Sequence, residues 1–107
     1  MKFEFVETSI FEKELKRLSK KHKSIKEDIR NLMNTIEENP DIGVDLGNGF
    51  KKIRMSITSK GKGKSGGARV VTQNIIINKE EHKIIMVILW DKSEVENVDI
   101  KILKDLI

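Results

Sequence analysis

Between Asn48 and Lys79 the chain carries eight Lys and Arg residues and no Asp or Glu. They are Lys51, Lys52, Arg54, Lys60, Lys62, Lys64, Arg69 and Lys79. The flanks lean the other way, with nine bases against ten acids in residues 1–47 and four against seven in residues 80–107. A segment kept free of acid suits a polyanion. Alternation along Phe50–Thr58 sets Lys52 and Arg54 on one strand face, and Arg69 lies early in the next strand-like run. If the two strands pair, these side chains and the loop lysines converge. Such a group binds several phosphates, and an Arg grips one with two parallel hydrogen bonds. RNA cleavage needs little more. A 2′-OH attacks the adjacent phosphorus, and preorganised cations stabilise the charge that grows on the phosphoryl oxygens. A Lys crowded by other cations is a feasible base, since like charge disfavours its charged form. The spacing alone establishes a polyanion surface and leaves an ordinary basic hairpin as the bland reading.

Other motifs lack their context. Gly61-Lys-Gly63-Lys-Ser-Gly66 matches GxGxxG, yet a dinucleotide site needs that turn to leave a strand and open a helix. Here it lies between two strands. Gly63-Lys64-Ser65 resembles the end of a phosphate-binding loop, but position 58, where its first Gly belongs, is Thr58. A chain of 107 residues cannot hold a kinase, whose glycine loop does join strands. His22 and His82 stand among Lys and Glu in turns and read as solvated. No cluster of metal ligands is evident, so neither a metal nor any other cofactor is expected. The absence of Cys excludes a thiol nucleophile and a disulfide scaffold.

The length predicts one domain spanning 1–107, burying on the order of two-thirds of its unfolded surface. Hydrophobic residues make up 37% and charged residues 36%, a polar globular composition. The longest apolar run, Ile84–Trp90, is too short to span a bilayer. No signal-peptide stretch follows Met1-Lys2, so a cytoplasmic location and no membrane partner are expected. Lys2–Glu7 alternates as a strand. Ser9 and Glu12 fit a capping box ahead of an apolar stripe at Phe11, Leu15 and Leu18. Ser24 and Glu27 fit a second box, followed by Ile25, Ile29, Leu32, Met33 and Ile36 until Pro40 ends the helix. Gly43–Gly49 reads as a loop and Phe50–Thr58 as a strand. Ser59–Gly67 is a flexible cationic loop, and Ala68–Asn78 a long strand. Lys83–Trp90 suits a central strand buried on both faces. Ile100, Leu103, Leu106 and Ile107 mark a short final helix with Asp99 at its cap. The order is β-α-α-β-β-β-α, an α+β fold in which a helix hairpin packs on a mainly antiparallel sheet.

Three stretches resemble the RelE/ParE superfamily of type II toxin–antitoxin toxins, most closely its HigB-like branch. They are FVETSIFEKELKRL, FKKIRMSITSKGKGKSGGARVV and ILWDKSEVENVDIKILKDLI. The resemblance spans essentially the whole chain. It implies a RelE-like fold and a ribosome-dependent mRNA endonuclease that works without a metal. It also implies a cognate antitoxin, HigA-like with a helix-turn-helix, and ribosome and mRNA as partners. By position, Lys52 and Arg54 stand at the two basic strand sites that serve acid–base chemistry or phosphate stabilisation. Arg69 stands at the arginine that stabilises the transition state. Lys92 stands where a basic residue approaches the leaving group. Lys51, Lys60, Lys62 and Lys64 fall to the RNA or ribosome backbone. RelE itself uses a Tyr near its C-terminus, and this chain has no Tyr; Lys52 is then the expected base. Trp90 has two readings, a core residue or a stacking platform for a base. Two other functions stay open: a ParE-like DNA gyrase inhibitor without nuclease activity, and a catalytically degenerate relative.

Overall fold

The structure is a computed structural model that describes residues 1–95. Its elements are β1 (Lys2–Glu7), α1 (Ser9–Lys21), α2 (Ile25–Glu38), β2 (Val44–Gly47), β3 (Phe50–Met55), a 3-10 turn (Thr58–Lys60), β4 (Ala68–Asn78) and β5 (Glu81–Asp91). The strands form one sheet in the order β1-β5-β4-β3-β2. Only β1 and β5 run parallel; the other neighbours are antiparallel. The α+β architecture therefore stands as expected. The final helix expected over residues 99–107 lies outside the described residues.

Both helices cover one face of the sheet. Their stripes, with Phe11, Leu18, Ile25 and Ile29 fully or nearly buried, meet Ile53, Met55, Val70, Ile84 and Met86. A second cluster of Phe50, Val71, Val87 and Trp90 occupies the opposite face. β5 feeds both, which explains its unbroken apolar run. Val71 pairs with Ile88 and Thr72 with Met86, so Val87 is an extra residue. That bulge turns both Val87 and Ile88 toward the second cluster.

The helix starts differ from the sequence expectation. Thr8, not Ser9, caps α1: its Oγ1 accepts from the Phe11 amide at 3.0 Å and donates to the Val87 carbonyl at 2.7 Å. A cap that also ties α1 to β5 outcompetes a purely local one. Ser24 makes no side-chain cap bond. Its hydroxyl donates to Asp28 at 2.8 Å and accepts from the Ser59 amide at 2.8 Å. The stretch expected as a loop contains β2, a short edge strand pairing with β3. The strand expected to reach Thr58 ends at Met55, because Asp28 takes the Thr58 amide at 3.0 Å and its hydroxyl at 2.6 Å. Those bonds curl the chain into the 3-10 turn.

His22 also departs from expectation. It is buried, and its Nε2 lies 2.8 Å from a carboxylate oxygen of Asp91. Asp91 itself has no exposure. It also accepts from Lys60 Nζ at 2.7 Å, from the Ser93 hydroxyl at 2.7 Å and from the Ser93 amide at 2.9 Å. Burial raises its pKa, but the bonds from Lys60, Ser93 and His22 outweigh burial and hold the carboxyl well below the usual range. A depressed folded value means that the ionised group stabilises the fold above the unfolded Asp pKa of about 4. The contribution fades as the pH falls from there through the lower folded value. Asp91→Asn should cost about 3 kcal/mol in urea unfolding at neutral pH, since it leaves Lys60 without its buried counter-charge. The gap between wild type and variant should narrow below about pH 4; a gap independent of pH would refute the ionic origin.

A cationic row as candidate active site

β3 and β4 pair with Arg54 directly opposite Arg69, and β4 and β5 pair with Arg69 opposite Trp90. The next row on the same face sets Lys52 against Val71 and Val71 against Ile88. Ile53, Met55 and Val70 belong to the helix-side core, so alternation sends Lys52, Arg54 and Arg69 to the other face. Three of the residues expected to converge therefore do so. Lys52 is half-buried, Arg54 exposed and Arg69 only 6% exposed.

Like charges directly opposite on a sheet are unfavourable, and so is a buried cation. Both act on Arg69: burial first, then the charge of Arg54, lowers its pKa. Backbone carbonyls provide the offset. Nη1 donates to the carbonyls of Lys64 at 3.0 Å and Ala68 at 3.2 Å, and Nη2 to that of Ser65 at 3.4 Å. Arg69 thus does two things. It holds the cationic loop against the start of β4, and it keeps its positive charge beside Arg54. Of its five donor hydrogens, those on Nε and one on Nη2 stay outside these three bonds.

The loop between the 3-10 turn and β4 closes over a tight backbone approach. A Cβ on Gly67 would stand 2.2 Å from the Met55 carbonyl oxygen, so only Gly fits. The Gly67 carbonyl accepts from the Lys92 amide at 3.0 Å, which joins the loop to the turn after β5. Lys92 is half-buried at that junction. Lys62 and Lys64 are exposed. Two of the expected backbone contacts sit elsewhere. The Lys60 ammonium is bonded to Asp91 and Ser93, so it anchors the turn instead of lining the loop with the other lysines. Lys51 alternates to the face opposite Lys52 and Arg54, where it pairs with Thr72. Trp90 is core: it is 4% exposed, and its Nε1 has no hydrogen-bond partner among the described residues.

The residues that brace this site carried little sequence signal. Asp28 and Asp91 bind partners 30 to 69 positions away, and neither lies in a motif. A general cue existed only for Asp91, the acid that directly follows the apolar run Ile84–Trp90. His82, also read as solvated, is half-buried; its Nδ1 lies 3.1 Å from the Asn74 side-chain oxygen and its ring 5.2 Å from that of Phe3. Among the described residues no three His, Asp or Glu side chains gather as a metal cage requires.

The α+β fold thus places two arginines directly opposite across β3 and β4, with a lysine two positions along β3 and exposed loop lysines before β4. The family model for the RelE toxin of the RelE/RelB toxin–antitoxin system matches residues 8–106, and the chain belongs to that family. It is a toxin-type chain whose family implies a cognate antitoxin. The search of curated proteins returned no match. Among the described residues no helix is long and apolar enough to cross a membrane.

The loop-holding role of Arg69 is open to test. Arg69→Lys keeps the charge but cannot span the Lys64 and Ser65 carbonyls. Amide exchange across Lys62–Gly66 should quicken by about tenfold, the effect of losing one to two hydrogen bonds from a locally opening segment. Unchanged exchange would show that the loop holds itself.

Proposed function

We propose that this toxin cleaves mRNA on the ribosome, as a HigB-like member of its family, with the Lys52–Arg54–Arg69 group gripping the scissile phosphate. The observation that carries the reading is the Arg54–Arg69 pair, placed directly opposite across β3 and β4 despite its electrostatic cost. A bound phosphate removes that cost by bringing negative charge between the two guanidinium groups. Arg54 and Arg69 then stabilise the charge that grows on the phosphoryl oxygens as the 2′-oxygen attacks phosphorus. Lys52, about 7 Å along the strand from Arg54, takes the proton from the 2′-OH. Lys92 delivers a proton to the departing 5′-oxygen. The products are a 2′,3′-cyclic phosphate and a 5′-hydroxyl end. Lys62 and Lys64 hold flanking backbone.

In this reading the protein acts in the cytoplasm, and its helix-turn-helix antitoxin neutralises it by masking the row. The test is cleavage of mRNA in a cell-free translation reaction, mapped by primer extension. Wild type should cut translated mRNA only when ribosomes are present. Arg69→Ala and Arg54→Ala should each lower the rate by about a hundredfold or more, the usual effect of removing one transition-state donor. Cutting by Arg69→Ala at the wild-type rate would overturn the assignment. Growth arrest without cuts, together with inhibited DNA supercoiling, would indicate a gyrase inhibitor instead.

A further inference from the structure

β2 pairs with β3 only as far as Val44 opposite Lys52. Beyond that point β3 has α2 beside it instead of a strand, and a cleft of about 220 Å³ opens between them. Leu32, Ile42 and Met55 give it an apolar floor. Asn31 and Thr35 of α2 face Ser56 across it, with Arg54 and Lys64 also lining it. The Thr35 hydroxyl donates to the Asn31 carbonyl at 3.1 Å, which leaves its lone pairs as acceptors. The Asn31 amide offers both donors and an acceptor. Asp28 also lines the cleft, but its carboxylate already accepts from the Thr58 amide, the Thr58 hydroxyl and the Ser24 hydroxyl.

The combination selects its ligand. An inorganic anion would leave the apolar floor uncovered, and a purely apolar ligand would leave the two cations unmatched. A nucleotide satisfies both, with its base on the floor, base edges on the amide and hydroxyls, and phosphate on the cations. Arg54 is shared: it lines the cleft and belongs to the cationic row. One nucleotide can therefore occupy the cleft while its phosphate lies in the row.

We propose that the cleft between α2 and the end of β3 is a base-binding subsite that takes the base adjoining the scissile phosphate. Asn31 and Thr35 read that base's edge. The proposal rests on the RNA-cleaving reading above and adds a determinant of sequence preference to it.

The test uses the whole protein labelled with 15N and a single-stranded RNA trinucleotide whose central residue is 2′-deoxy, which cannot be cut there. Two companions lack the base at the central or the 3′ position. The trinucleotide should shift the amide signals of Asn31, Leu32, Thr35 and Ser56, and one abasic companion should leave them in place. Asn31→Ala should weaken trinucleotide binding by about fivefold, the worth of one hydrogen bond. It should leave binding of that abasic companion unchanged. Thr35→Trp, on the exposed side of α2, fills the cleft and should abolish the shifts while the thermal midpoint holds. Shifts confined to the Lys62–Gly66 loop and the strands, or wild-type affinity in both variants, would overturn the proposal. Failure of the nuclease reading looks different: wild type makes no cuts during translation, whatever the trinucleotide does.

Discussion

The site depends on one buried carboxylate. Asp91 ends β5 and lies opposite Ala68, one position from the pairing of Arg69 with Trp90. It is wholly enclosed and bonded to Lys60, His22 and Ser93. Those partners come from the 3-10 turn, the end of α1 and the turn after β5. A buried charge that lost any of them would face a desolvation cost of several kcal/mol, so the three segments are fixed together. The 3-10 turn leads into the cationic loop, and the loop returns through Gly67 to Arg69. Asp91 thereby sets where that loop begins. It also sits on the helix side of the sheet, so the layer of β-structure separates its negative charge from the arginines. An acid on the other face would neutralise them.

Arg69 shows how an unfavourable placement is made tolerable without being made neutral. A carboxylate partner would have satisfied its guanidinium and cancelled its charge. Carbonyl oxygens satisfy hydrogen bonds and leave the net charge intact. The three carbonyls come from Lys64, Ser65 and Ala68, close in sequence to Arg69 itself. Orienting them needs a loop that folds back tightly, and the backbone approach at Gly67 allows it. The Gly-Gly before Ala68-Arg69 is thus a structural requirement of a charged, buried arginine. Electrostatics on the ligand side and backbone geometry on the protein side are two parts of one arrangement.

This explains which features were legible in the sequence. Periodicity is local, and it located both helices, β1, β4, β5 and the facing of Lys52 and Arg54 correctly. The absence of acid between Asn48 and Lys79 is also local, and it pointed to the strands and loop that carry the candidate site. Pairing across distance is not local. Nothing in the run around His22 shows that its ring meets Asp91, because that contact exists only when α1 packs beside the end of β5. Lys60 looked like one more loop lysine for the same reason. The capping boxes at Ser9 and Ser24 failed because better partners arrived from elsewhere: the Val87 carbonyl for Thr8, and Asp28 and Ser59 for Ser24. β2 escaped notice because an edge strand of four residues, with two Gly-rich borders, carries too short a pattern to register.

Net charge is consequently a poor measure of what this surface presents. Lys60 adds to the sum of bases but is neutralised by Asp91. Arg17 and Lys21 add to it but pair with Glu94, which also braces α1 against the turn after β5. Lys52, Arg54, Arg69, Lys62 and Lys64 make no salt bridge with the described residues, and all five come from two paired strands and one tethered loop. A field built from fixed positions acts on a phosphate at a defined point, where the same number of mobile lysines would attract RNA without orienting it. Orientation separates a surface that merely binds a polyanion from one that can stabilise a single phosphorus centre. In the proposed function it comes from the β3–β4 register and from the carbonyls that hold Arg69.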